Sequence, residues 1–253
     1  PVSMTTGFSS YLMNVGQLKN QGVELEINST NFKTKDFEWK TTFNLSHNTN
    51  KVVNLDGDQT EIVSGTQIHK IGHSYRTFYM IEFAGINPEN GNPQFYKNDL
   101  LEDGSYNKEI TEKASEAKSI MLDKHAEPNI TGGLYNSFRY KWFDLSFLFN
   151  YQFGGWSYDT WAQKTEHGGY DMEANIPTYY ADSWKKPGDV TKYEQFYEKS
   201  SRVAMHKITN SRRLHSTDFL RLKTFTLGFT LPKQWLSSVG LSNARIYMSA
   251  NNL

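Results

Sequence analysis

The sequence predicts an all-β chain, an antiparallel transmembrane β-barrel segment with short turns at one end of its strands and long connections at the other. Three observations carry this reading. Two strand patterns lie back to back between residues 128 and 154 and share an apolar face. Long strands recur along the chain, and the connections between them alternate short and long. No run of eighteen apolar residues is present, which removes a transmembrane helix from consideration.

The paired patterns come first because they are the clearest. Phe143, Leu145, Phe147, Phe149, Tyr151 and Phe153 occupy every other position, and Asp144, Ser146, Asn150 and Gln152 lie between them, with Leu148 the exception. Successive side chains of a strand point to opposite faces, so one face is aromatic or aliphatic and the other mostly polar. The preceding stretch keeps the same rhythm through Leu134, Phe138 and Tyr140, with Ser137 and Arg139 opposite. The link at Tyr140-Lys141-Trp142 is so short that the two strands must be antiparallel neighbours. Five of the six positions on the main apolar face are aromatic, which suits a lipid-facing band with Tyr and Trp near its ends.

Taken in order, residues 1–13 read as polar loop. Val23, Leu25 and Ile27 alternate with Glu24, Glu26 and Asn28, a strand over about 22–31 whose acidic face is solvated or, in a barrel, faces the lumen. A polar turn at Asn31 to Asp36 leads to a strand over about 37–52, with Trp39, Thr41, Phe43 and Leu45 against Lys40, Thr42, Asn44 and Ser46. Residues 53–127 form a long, glycine-broken connection in which Thr77–Phe83 reads as a strand and Ile110–Lys124 as a charged helix. Strands over about 128–140 and 142–154 follow. A second long connection spans about 156–216, with Tyr179–Trp184 helical and Trp184-Lys185-Lys186-Pro187-Gly188-Asp189 closing in a sharp turn. Strands over about 217–231 and 243–253 complete the set. The apolar parity of the first of these shifts between Leu222 and Phe225, which predicts a bulge or a twist out of the lipid zone.

Composition narrows the function classes. The 253 residues carry 27 basic and 27 acidic side chains, 15% aromatic residues and no cysteine. Balanced charge without a basic, aromatic-interleaved block gives no case for nucleic acid. The absence of cysteine excludes disulfides and fits a bacterial envelope among other compartments. The first residues, Pro1-Val2-Ser3-Met4, show no signal-peptide pattern. Six strands close no useful lumen, and an open edge in lipid leaves backbone groups unpaired. The sequence therefore predicts a part of a larger barrel. A self-contained small porin needs further strands hidden in 53–127. The competing reading is a soluble extracellular β-sandwich that binds glycans without transport.

Catalytic and metal signals are thin. His69 and His73 are four apart, but Ile71-Gly72 lies between them in a turn-rich stretch and no Glu stands as a base. Asn54, Asp56 and Asp58 around Gly57 match the start of a calcium loop but lack its distal glutamate, so a plain turn is expected. No nucleophile elbow, phosphate loop, dinucleotide fingerprint or glycosidase carboxylate pair appears. The reading is a protein that is not an enzyme, with no catalytic residue, cofactor or metal. Three Asn-x-Ser/Thr sequons at Asn28, Asn44 and Asn129 fall on predicted strands and are discounted as glycosylation sites. Trp156, Tyr158, Trp161 and Tyr170 stand out in the aromatic-rich second connection. Such rings pack a loop against itself, meet a partner protein or stack on cargo. Arg212 and Arg213 read as solvated.

Several phrases, in order along the chain, carry a resemblance: Asn14-Val15-Gly16 with Asn20-Gln21-Gly22-Val23-Glu24, Gly132-Gly133-Leu134, Tyr151-Gln152-Phe153-Gly154-Gly155, Trp184-Lys185-Lys186-Pro187-Gly188-Asp189, Leu227-Gly228-Phe229-Thr230-Leu231-Pro232 and Ala250-Asn251-Asn252-Leu253. The sequence resembles the C-terminal part of the barrel of SusC/RagA-type TonB-linked outer-membrane transporters of Bacteroidetes. The resemblance implies a 22-stranded barrel around a plug domain. The resemblance places the plug and the final strands outside this sequence. It further implies multi-pass residence in the bacterial outer membrane and a SusD-like surface lipoprotein as lid. Energy would come from the TonB-ExbB-ExbD complex through the plug. The cargo would be an oligosaccharide or peptide, and the two long connections would be extracellular loops.

Overall fold

The computed structural model describes residue 14 and residues 16–169, 175–197, 208–237 and 240–253. In chain order its strands are β1 (Gly16–Lys33), β2 (Phe37–Leu55), β3 (Glu61–Ser64), β4 (Gln67–Lys70), β5 (Thr77–Ile81), β6 (Phe83–Ile86), β7 (Pro93–Tyr96), β8 (Ile110–Thr111), β9 (Ser119–His125), β10 (Ile130–Tyr140), β11 (Phe143–Phe153), β12 (Trp156–Tyr158), β13 (Leu214–Ser216), β14 (Phe219–Thr230) and β15 (Arg245–Asn251). Two short helices are α1 (Thr160–Thr165) and α2 (Lys233–Leu236). Among the described residues no helix is long and apolar enough to cross a membrane.

The chain divides into two compact units. One comprises Asn20–Thr49, Glu127–Trp156 and Ser216–Leu253. It holds the six-stranded sheet, ordered β1-β2-β10-β11-β14-β15, apart from the first residues of β1 and the last of β2, which belong to the other unit. From β2 onward the neighbours pair antiparallel. Register places the apolar residues in rows, because directly opposed residues of an antiparallel pair share a face. One row runs Trp39, Phe138, Leu145, Leu227, Met248, and the next Phe37, Tyr140, Phe143, Phe229, Ile246. Trp39 stacks on Phe138 at 5.5 Å, and Phe143 lies 4.7 Å from Phe229. The opposite face carries Lys40, Ser137, Ser146, Thr226 and Ser249 in one row.

This apolar face is exposed within the unit: Phe143 is 51%, Met248 59% and Ile246 68% accessible. A soluble sandwich would bury such a face against a second sheet, so the geometry disfavours that reading. Polar groups on the same face satisfy one another. Trp39 Nε1 and Thr41 Oγ1 both donate to Asn136 Oδ1, at 2.9 and 2.7 Å, and Asn31 Nδ2 donates to Thr41 Oγ1 at 2.6 Å. That closure is what a hydrocarbon environment demands, since an unpaired polar group there costs several kcal/mol.

The bulge expected near Leu222 is present. Leu148 pairs with Thr224 and Phe149 with Leu222, leaving Lys223 as the extra residue. The insertion keeps Leu222 and Phe225 on one face despite their odd spacing. β1 is longer than its apolar alternation suggests, starting at Gly16, because the signal fades where Gln17, Lys19 and Asn20 replace apolar residues. The link between β10 and β11 is Lys141-Trp142, with Lys141 in the left-handed region at φ 51°.

The other unit comprises Pro1–Lys19, Asn50–Ala126 and Ser157–His215. Among the described residues it holds every buried apolar core residue except Leu236, including Val52, Ile68, Phe78, Met80 and Phe95. Fully burying one such side chain stabilises by about 1.5–3 kcal/mol. Its sheets are β3-β4-β5-β9 and β6-β7-β8. Strands are thus present within residues 53–127, but they join these sheets and not the six-stranded one.

The helix expected over Ile110–Lys124 is corrected. Its Lys, Glu and Ala residues yield only one 3-10 turn, Ala114–Glu116, without a side-chain cap. Ser119–His125 is strand, because Ile120 buries against the sheet opposite Met80. Tyr179–Trp184 is likewise a single 3-10 turn, Thr178–Asp182. The loop expected over residues 1–13 lies outside the described residues.

Candidate functional site

Of the four aromatic residues singled out by sequence, Tyr170 lies outside the described residues. Trp156 and Tyr158 occupy β12, half-buried, and the Tyr158 hydroxyl is buried without a hydrogen-bond partner among the described residues. Trp161 is different: at 72% accessible it projects from α1. Asp159 starts that helix by accepting from the Ala162 N–H at 2.8 Å. Lys164 Nζ sits 5.1 Å from the Trp161 ring centroid, so the indole carries a cation on one side.

Sequence reading missed the centre of this unit. Arg212 and Arg213, expected to be solvated, are withdrawn from solvent: Arg213 is buried at 1% accessible and Arg212 is half-buried. The reason is local pairing. Glu166 Oε2 accepts from Arg212 Nη2 and from Arg213 Nε, both at 3.2 Å, and Glu194 takes a second charge-assisted bond from Arg212. Tyr179 donates to Glu166 Oε1 at 3.2 Å. Burial, and next the Glu166 carboxylate, push the Tyr179 hydroxyl up to about 12. Burial works against the Arg212 charge, but Glu194 more than offsets it and holds the guanidinium above its ordinary value. The signal available in sequence was only an adjacent Arg pair in an aromatic-rich loop. The acids that pair with it lie 18 and 46 residues from Arg212.

The same segment knits the two long connections together. The Arg212 guanidinium lies 5.5 Å over the Phe83 ring, and the Phe83 N–H donates to Ser211 Oγ at 3.0 Å. Trp184 Nε1 donates to the Pro88 carbonyl at 2.8 Å, and Gln195 Nε2 donates to the Asn90 carbonyl at 2.8 Å. Gly91 has φ +70°, and a Cβ there would lie 2.6 Å from the Trp184 ring. Below this turn the side-chain amides of Asn87, Asn90 and Asn92 all donate to the Glu112 carboxylate, at 2.6, 2.9 and 2.6 Å.

The two histidines lie in β4 and the turn after it, so the helical spacing considered for a metal pair does not apply. His69 stacks on Tyr75 at 4.6 Å. Asp56-Gly57-Asp58 forms a turn with Gly57 at φ +65°. Among the described residues no group of three or more His, Cys, Asp or Glu side chains is placed to hold a metal.

No family model matches the sequence. Curated relatives do. The chain is 30% identical over its full length to TonB-dependent receptor P3 of Formosa agariphila, covering 26% of that protein. It is 23% identical over 99% of its length to TonB-dependent receptor SusC of Bacteroides thetaiotaomicron, covering 24% of it. The fold matches the structure of the RagAB peptide transporter with a TM-score of 0.79 and 28% identity, over 100% of this chain and 27% of that one. The chain therefore spans about a quarter of the length of each.

Proposed function

We propose, from a chain that belongs to the SusC/RagA-type TonB-dependent receptors, that it forms part of the wall and the outer loops of a bacterial outer-membrane importer. The observation that supports this most is the six-stranded sheet with one exposed apolar face and one polar face, whose long connections fold into a unit with its own core. An exposed aromatic face suits lipid, and a polar face suits a lumen. On this reading the strands extend into a 22-stranded barrel that holds a plug. Residues 53–127 and 156–216 lie on the extracellular side beneath a SusD-like lipoprotein. The TonB-ExbB-ExbD complex supplies energy through the plug, and the cargo is an oligosaccharide or peptide. Trp161, the exposed ring among the three described candidates, is the residue assigned to lid or cargo contact.

Two measurements test the reading. Peptides from residues 130–155, followed in an outer-membrane preparation, should trace to a parent several times heavier than 29.2 kDa. A parent near 29.2 kDa would contradict it. In cells whose growth depends on this receptor, dissipating the proton-motive force or deleting TonB should abolish uptake. Undiminished uptake would overturn the energy coupling.

A further inference from the structure

A groove of about 330 Å³ opens between the first residues of β1, the end of β2 and the β3-β4 hairpin. A second hollow of about 260 Å³ shares Gln17, Asn54 and Leu55 with it and extends it toward Asp56 and Gly57. The first hollow lies in the size range of small-molecule sites. Its lining combines apolar Leu18, Val52, Leu55 and Ile62 with the amide residues Gln17 and Asn54. Every residue lining it is an uncharged type or His69.

His69 fixes the chemistry. It stands opposite Ile62 in the β3-β4 pair and stacks on Tyr75 with a 16° interplanar angle. The Tyr75 N–H is in turn held by Asn50 Oδ1 at 2.6 Å, which anchors the stack. Nδ1 of His69 is buried with no hydrogen-bond partner among the described residues. A buried N–H without an acceptor costs more than a bare ring nitrogen, so the proton belongs on Nε2. Burial, and next the charge of Arg76, lower the pKa of the ring, in keeping with a neutral imidazole. His69 is part-exposed, and with Nδ1 enclosed its reachable edge is the one that bears Nε2–H. The groove therefore presents a donor from His69, mixed donors and acceptors from two amides, and an aromatic and aliphatic wall.

We propose that this groove binds an uncharged, hydroxyl-bearing ring of the pyranose type, with His69 Nε2–H donating to a ring or hydroxyl oxygen. Such a ring has a C–H face for Tyr75 and Ile62 and peripheral hydroxyls for Asn54 and Gln17. An acidic sugar would enter a lining that offers no cation, and whose adjoining hollow carries the Asp56 carboxylate, at a desolvation cost. The proposal rests on the import reading and names the class of cargo it takes.

The test is binding to the intact receptor in detergent, with a panel of neutral oligosaccharides, uronate or sulfated oligosaccharides, and peptides as probes. His69→Phe keeps the ring and removes the donor; His69→Gln restores one. The expected result is binding of one or more neutral oligosaccharides, weakened at least tenfold in His69→Phe and within about threefold of wild type in His69→Gln. A midpoint of unfolding unchanged from wild type shows that His69→Phe folds. Three results overturn the proposal: no neutral binder in the panel, neutral binding indifferent to His69→Phe, or His69-dependent binding confined to acidic glycans or peptides. The two readings fail separately. A receptor that imports through TonB while ignoring His69 sinks the groove alone. Uptake indifferent to TonB sinks the import reading while His69-dependent binding stands.

Discussion

The Tyr151 hydroxyl donates to the Asn44 backbone carbonyl at 2.8 Å, reaching across β10 over Gly132. Gly132 pairs with both Leu45 and Tyr151, so the phenol leans over the position where a side chain would stand. A Cβ on Gly132 would lie 2.3 Å from both the Asn44 oxygen and the Tyr151 hydroxyl. Gly132→Ala should therefore destabilise the sheet by about 1–3 kcal/mol, the usual cost of overpacking. Combining it with Tyr151→Leu should recover part of that loss. Urea midpoints of the folded receptor in detergent provide the check.

Asn136 is the acceptor shared by Trp39 and Thr41 on the apolar face. Replacing Asn136 by Leu strands two donors away from water, at about 1–3 kcal/mol. The triple change Asn136→Leu, Trp39→Phe, Thr41→Val removes both donors and their acceptor and should recover part of the loss, the Asn31 amide then lacking its Thr41 acceptor. If the single and triple variants unfold at the same urea concentration, the network carries no weight.

Glu166 ties Arg212, Arg213 and Tyr179 into one cluster. Glu166→Leu takes a carboxylate from the buried Arg213 guanidinium and one of two from the half-buried Arg212, a change that costs about 3–5 kcal/mol in buried pairs. The loss should appear as faster hydrogen exchange in residues 83–95 and 190–197, with β10 and β11 unchanged. Uniform acceleration across all strands would show that the cluster does more than hold its own unit.

The Tyr179 hydroxyl, raised from 10.0 to about 12, gives a pH signature. A tyrosine whose folded pKa exceeds its unfolded value keeps its contribution to stability below pH 10 and loses it as pH rises toward 12. Burial also raises the Tyr180 and Tyr193 hydroxyls, so phenolate absorbance should show several late-titrating tyrosines, and Tyr179→Phe should remove one tyrosine's worth of absorbance from the titration near pH 12. An unchanged titration curve in that variant would contradict the assignment.

The sheet was legible in sequence because β-strand alternation is a local signal. Phe143 to Phe153 and Trp39 to Leu45 declare their faces without reference to any partner, and even the bulge at Lys223 shows as a parity shift between Leu222 and Phe225. The other unit was far less legible. Its strands are short, such as Gln67–Lys70 and Phe83–Ile86, and too brief for periodicity to build up. Arg213 looked solvated because its partner Glu166 is 47 residues away, and charge pairing at that range leaves no local pattern. The Lys, Glu and Ala residues within Ile110–Lys124 favour helix, while burial of Ile120 in the sheet decides for strand over Ser119–His125.

The central claim is that the aromatic face of the six-stranded sheet meets lipid and the opposite face meets water. Nitroxide labels placed singly at Leu145, Ser146, Phe147 and Asn150 of the receptor in bilayers test it directly. Collision rates with oxygen and with a water-soluble nickel chelate should alternate, with oxygen favoured at Leu145 and Phe147 and the chelate at Ser146 and Asn150. Chelate access at all four positions, or protection of all four from both reagents, would contradict the account.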